Sequence, residues 1–198
     1  MLLLAGLGNP GAKYSSNRHN VGFMAIDAIA EKNKFPLFRE QLGGLMCRGR
    51  IELEDVILFK PSSYMNESGQ PVGAVVRFFK LSLSQIWIIH DDLDIEPGRV
   101  RVKVGGGTGG HNGLKSIDSH IGRDYSRLRI GIGRPPRDGD VSNYVLSDFK
   151  SDDLSWLDNL ISGLAKTMPS LLSGDSQAFG NNMASLMRLA PQISKTNK

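Results

Sequence analysis

Arg99-Val100-Arg101-Val102-Lys103-Val104, running into Gly105-Gly106-Gly107-Thr108-Gly109-Gly110-His111-Asn112-Gly113-Leu114, decides how the chain folds. Residues 99–104 alternate basic and apolar, the period of a half-buried strand whose three cations share its open face. Glycine then takes six of the ten positions from 105 to 114, so the backbone there can reach positive φ and admit a close neighbour. Leu114, Ile117 and Ile121 fall at helical spacing and predict a helix opening near Asn112. A cationic strand thus passes through a flexible loop to a helix N-terminus, where free N–H groups favour anions and oxyanions. A plain surface linker is the competing reading, but linkers seldom set His111 beside Asn112 between two well-patterned elements.

Outward from this unit, Leu2-Leu3-Leu4-Ala5 is an apolar run closed by glycine, as suits a central strand covered on both faces. Gly6-Leu7-Gly8-Asn9-Pro10-Gly11 follows and matches the G-x-G-x-x-G of dinucleotide sites. The residues after it carry no helical apolar period, and Asp27 and Glu31 fall inside a helix pattern instead of at a strand end, which disfavours NAD. That helix covers 21–34 with Asn20 as its N-cap. Residues 45–51 and 56–60 read as a hairpin, and Val72, Val75, Val76 and Phe79 mark a second helix. Residues 86–89 form another buried strand, and 125–131 alternate again, with Arg127 and Arg129 on one face. A proline-rich loop at 135–140 precedes residues 141–149, and helices follow from Ser151 and over 175–189. Strands alternating with helices predict one α/β domain over 1–190, a three-layer α/β/α arrangement around a twisted mixed, largely parallel sheet. An antiparallel hairpin is expected at one edge, and a polar tail over 191–198.

The 198 residues are 40% apolar and 22% charged, the balance of a soluble globular protein, and the net charge of +4 permits a polyanionic partner. The single cysteine, Cys47, excludes an internal disulfide and a cysteine-rich zinc site, which suits a reducing compartment. Its place between Met46 and Arg48 in a strand pattern reads as a small core residue. The opening MLLLAG is too short and too poor in basic residues for a signal peptide, and no apolar run approaches the roughly 20 residues of a membrane span. A cytoplasmic protein with no membrane contact is expected.

In open α/β sheets the ligand crevice lies beyond the carboxyl ends of the strands. Asn9, the segment around His19, Asn66, the acids after Ile89, and His111 with Asn112 all fall there. His19 is the natural general base, and Asp91 at a strand end is placed to hold one of its ring nitrogens. No G-x-S-x-G occurs and Cys47 lies in a core pattern, which favours activated water over a covalent intermediate. Two rival readings stand beside this one. His19 could be an N-capping or solvated histidine, and His90, Asp91, Asp92 and Asp94 could bind Mg²⁺ or Mn²⁺, although strand neighbours point to opposite faces. Arg99, Arg101 and Lys103 form one cationic row and Arg127 with Arg129 another. They adjoin if their strands pair, which is either a phosphate-backbone footprint or an ordinary solvated sheet face.

Several blocks together resemble the bacterial-type peptidyl-tRNA hydrolases. They are Gly6-Leu7-Gly8-Asn9-Pro10-Gly11, Tyr14, Arg18-His19-Asn20-Val21-Gly22, Met65-Asn66, His90-Asp91-Asp92-Leu93-Asp94, the glycine-rich stretch 105–114 and Arg127-Leu128-Arg129-Ile130-Gly131-Ile132-Gly133, in the family's order. The resemblance implies hydrolysis of the ester joining a peptide to the 3′ ribose of tRNA, without metal or other cofactor. It implies that His19 is the catalytic base and Asp91 the carboxylate that orients it. Asn9, Asn66 and Asn112 would be the amides that hold the peptide and stabilise the oxyanion, with Tyr14 and His111 also binding substrate. Lys103 and Arg129 would clamp the tRNA 5′-phosphate. The implied partner is peptidyl-tRNA, met at its acceptor stem and 3′ end by a monomer. Asn17, Thr108 and Arg101 stand where the family more often has Thr, His or Ser, and Lys. The alternative from another class is a non-catalytic RNA-binding module using the same basic face.

Overall fold

A computed structural model describes residues 1–136 and 139–189 of the chain. The expected tail at 191–198 lies outside the described residues.

Seven strands form one mixed sheet in the order β2-β3-β4-β1-β5-β7-β6. They are β1 (Leu2–Gly6), β2 (Arg39–Gln41), β3 (Gly44–Ile51), β4 (Glu54–Pro61), β5 (Ile86–Asp92), β6 (Val100–Val104) and β7 (Ser126–Gly131). The four central strands β4, β1, β5 and β7 are parallel. Their sequences are almost continuously apolar because both faces are covered. Leu3, Ala5, Ile57, Phe59, Ile86 and Ile88 pack against α2 (Gly69–Phe79) and α3 (Asn112–Ile121). Leu4, Leu58, Ile89, Leu128 and Ile130 pack against α1 (Val21–Lys32) and α5 (Ser151–Leu172), with α6 (Ser176–Leu189) laid on α5. The expected three layers are therefore present. Among the described residues no helix is long and apolar enough to cross a membrane.

Two local expectations are corrected, and one segment left without an element gains a helix. The sheet has antiparallel pairing at both edges, not one, because β6 runs antiparallel to β7 with Lys103 opposite Arg127 and Arg101 opposite Arg129. Alternation is the same in either direction, so it could not reveal this. The glycine loop must therefore run back along the sheet, from Gly105 bonded to the Tyr125 carbonyl, to His111 beside the end of β5. Asn20 precedes α1 but does not cap it with its side chain, which instead bonds both the N–H and the carbonyl of Asn9 at 2.9 Å. Residues 141–149 contain a short helix, α4 (Val141–Val145), capped by the Asp140 carboxylate accepting from the Ser142 N–H.

The glycines after β1 serve close packing. A Cβ on Gly6 would lie 2.2 Å from the Gly22 carbonyl oxygen, and one on Gly22 would lie 2.4 Å from the Ile89 carbonyl oxygen. Only with both absent can the first turn of α1 rest on the ends of β1 and β5. That approach sets the turn Arg18–Asn20 at the carboxyl end of β5. The G-x-G-x-x-G stretch opens into 3-10 turns instead of the helix a dinucleotide site requires.

Candidate active site

His19 sits in the middle of the 3-10 turn before α1, and Asp91 is the penultimate residue of β5. Both are buried, and His19 Nδ1 lies 2.8 Å from Asp91 Oδ1. His111, at the head of α3, places Nε2 3.0 Å from the same oxygen. The bonding assigns the tautomers. His111 Nδ1 accepts from the Gly113 and Leu114 N–H groups at 3.1 and 3.3 Å, so the proton is on Nε2 and is donated to Asp91. His19 donates from Nδ1 to a carboxylate, which leaves Nε2 with its lone pair and no protein partner among the described residues. Burial alone would push the Asp91 carboxyl up, but the two imidazoles bonded to it hold it well below the usual carboxylate range. His90 is different: burial, with His111 beside it, lowers it to about 3, and it stays neutral while donating from Nδ1 to the Asp91 carbonyl at 2.6 Å.

His19, Asp91 and His111 each bring a ligand atom within 4.8 Å of the others, the grouping best placed to hold a cation among the described residues. With these tautomers the nitrogens that face Asp91 carry protons, so a metal would have to displace both hydrogen bonds. The other acids of the segment are engaged elsewhere, Asp92 with Arg129 at 2.8 Å and Asp94 with Arg134 at 2.6 Å. The 90–94 run therefore does not converge as one ligand set.

A cavity of about 890 Å³ opens over this centre, and all nine residues to which the family resemblance gives a role line it. Asn9 is buried, with Oδ1 accepting from the Met65 N–H at 2.8 Å, which leaves its NH₂ group to donate. Tyr14 meets Tyr64 edge to face, ring centres 6.5 Å apart, while Asn66 and Asn112 are exposed at the rim. Lys103 has no ion-pair partner among the described residues, and its ammonium occupies the place a Cβ on Gly106 would need. Arg129 is tied to Asp92 but keeps about a quarter of its side chain exposed.

Arg127 departs from expectation. It is buried and belongs to no open cationic row: it donates to the carbonyls of Gly107 and Gly106 at 2.8 and 3.0 Å and pairs with Asp118. It holds the glycine loop to the sheet. Sequence reasoning also missed α4, whose Val141 and Val145 wall the cavity together with Leu146 just after it. Asp140 ahead of Val141, Tyr144 and Val145 was an available signal, an N-cap followed by an apolar stripe.

A mixed sheet with a parallel core, carrying a histidine–carboxylate pair beside the ligand crevice, is an arrangement suited to the α/β hydrolytic enzymes. The sequence model described as peptidyl-tRNA hydrolase matches residues 3–191. Peptidyl-tRNA hydrolase from Ruegeria pomeroyi is 50% identical over 191 residues, covering 96% of this chain and 79% of that one. Its counterpart from Beijerinckia indica is 48% identical, covering 96% of each chain. The crystal structure of peptidyl-tRNA hydrolase from Acinetobacter baumannii superposes with a TM-score of 0.86 at 41% identity, covering 92% of this chain and 94% of that one. The chain belongs to the peptidyl-tRNA hydrolase family.

Proposed function

We propose that the chain hydrolyses the ester between a peptide and the 3′ ribose of tRNA, using water activated by His19. The observation that carries this reading is the asymmetry of the imidazole, with Nδ1 bound to buried Asp91 at 2.8 Å and Nε2 left without a protein partner beside the cavity. Water gives a proton to Nε2 as its oxygen bonds to the ester carbonyl carbon. Asp91 stabilises the imidazolium so formed, and that proton then passes to the departing ribose oxygen. The peptide leaves as a carboxylic acid, which then ionises by releasing its proton to solvent. Asn9, with its oxygen spent on Met65, supplies an amide donor for the charge on the carbonyl oxygen, and Asn66 and Asn112 hold the peptide. Tyr14 and His111 line the same space, while Lys103 and Arg129 bind the 5′-phosphate. The reading takes the protein to act as a monomer, and the substrate class supports a cytoplasmic setting.

The test is incubation of the protein, with EDTA present, with an N-acetylated aminoacyl-tRNA, scored for freed tRNA. Turnover unaffected by chelator is expected. Binding without turnover would favour the RNA-binding module, and activity lost to EDTA and restored by Mg²⁺ or Mn²⁺ would favour a metal at the histidines.

A further inference from the structure

Three consecutive residues of the turn that presents His19 are tied to three different parts of the fold. Asn20 bonds the main chain of Asn9 after β1, and His19 bonds Asp91 on β5. Arg18 reaches the opposite way, to α4, the first turn of α5 and the segment between them. Its side chain is 6% exposed, its Nη2 lies 2.5 Å from Asp153 Oδ2, and its main-chain N–H donates to the Ser147 carbonyl at 3.0 Å. The guanidinium carbon stands 4.8 Å from the Tyr144 ring centre and 5.0 Å from that of Phe149. Around it the main chains are stitched together, with Asn17 bridged to Asp148 and the Phe149 N–H bonded to the Ser16 carbonyl.

This is a costly way to fill the space. A buried ion pair rarely stabilises more than apolar side chains of the same volume, and here Arg18 Nε is sealed from solvent without a partner. What a planar cation held between two rings and fixed by one carboxylate supplies is a single orientation. We propose that Arg18 is a positioning residue for His19. It touches no substrate, since it is absent from the cavity lining, and it sets the reach of the base by locking the turn to the α4–α5 segment. Asp153 is the anchor, itself fixed by the Lys150 N–H at 2.9 Å and the Trp156 indole at 3.3 Å. The inference rests on His19 being the base.

The experiment compares Arg18→Lys and Asp153→Asn with the unaltered chain. The first keeps the charge and loses the planar stack; the second keeps the shape and loses the anchoring charge. A displacement of about 1 Å at a catalytic group costs on the order of 10²-fold, so kcat should fall between about 10-fold and 10²-fold in each variant. KM and the affinity for uncharged tRNA should stay within about twofold, because neither substitution touches a group that binds substrate. In ¹⁵N-labelled protein the Nδ1–H proton resonance of His19, identified by its loss in His19→Ala, should shift or broaden in both variants. Should Arg18→Lys not fold, Asp153→Asn decides the matter alone. A folded variant with unchanged kcat overturns the proposal, as does a kcat that falls only with the folded fraction while the Nδ1–H resonance stays put. If His19 were not the base, His19→Ala itself would keep its activity, so the two failures are distinguishable.

Discussion

Replacing Asp91 with asparagine removes one charge and almost no volume at the point where two histidines converge. Both His19 Nδ1 and His111 Nε2 donate to the same carboxylate oxygen, at 2.8 and 3.0 Å. The asparagine carbonyl should therefore take that place and its NH₂ group the other, since the reverse would set donors against two donors. Both tautomers survive, and His19 Nε2 keeps its lone pair. Hydrogen bonds to charged groups contribute about 1.5–3 kcal/mol and neutral ones about 0.5–1.5, so the His19 bond weakens by about 1–1.5 kcal/mol. That bond must also support the imidazolium that forms during reaction, so the penalty grows in the transition state. A loss in kcat of about 10-fold to 10³-fold is expected, short of the roughly 10⁴-fold seen when the same exchange in a serine-protease triad inverts the tautomer. The assay is single-turnover hydrolysis of N-acetylated aminoacyl-tRNA with enzyme in excess, which removes binding from the rate. A loss under about threefold would refute the role of the carboxylate, and one near 10⁴ would refute the doubly accepting oxygen. Stability supplies an independent sign. The Asp91 carboxyl is held below its ordinary range, so its contribution is present above about pH 4 and lost as pH falls through the folded value. The Tm deficit of Asp91→Asn should thus be full at pH 7 and shrink below pH 4; a deficit independent of pH would contradict the assignment.

Lys103→Ala should raise KM and largely spare kcat, and substrate lacking its 5′-phosphate should reproduce the defect. Combining the two should cost less than their sum, and strict additivity in that double cycle would remove Lys103 from the 5′ end. Gly6→Ala drives a methyl to 2.2 Å from the Gly22 carbonyl oxygen, a backbone atom that no rotamer change can relieve. Overpacking costs about 1–3 kcal/mol and here should lie at the top of that range, lowering Tm by at least about 5 °C with a parallel loss of turnover. An unchanged melting curve would mean that α1 does not pack so closely on β1.

The layers of the fold were legible because burial on both faces writes itself into β1, β4 and β5 as unbroken apolar runs, and α1 to α3 carry their stripes. The direction of β6 was not, because Val100, Val102 and Val104 alternate identically in a parallel or antiparallel ladder. Arg127 reads from sequence as one of an open row of cations, for a phosphate backbone or for solvent, for the same kind of reason. Period two says which face a side chain takes but not whether that face is covered, and here the folded-back glycine loop covers it. His19 and Asp91 could be paired from their places at a helix mouth and a strand end. That His111 both caps α3 and shares the Asp91 oxygen depends on ring orientation, which spacing does not encode. Arg18 stands out in the sequence only as part of a motif, because its partner Asp153 lies 135 residues away.

The central claim is that His19 takes the proton from the attacking water. Its most direct test is the turnover of His19→Ala under saturating N-acetylated aminoacyl-tRNA, with the affinity for uncharged tRNA measured on the same protein. General-base catalysis contributes about 10²–10⁴-fold, so kcat should fall by at least that much while tRNA binding stays unchanged. A folded His19→Ala protein whose kcat remains within about tenfold of the unaltered chain would contradict the account.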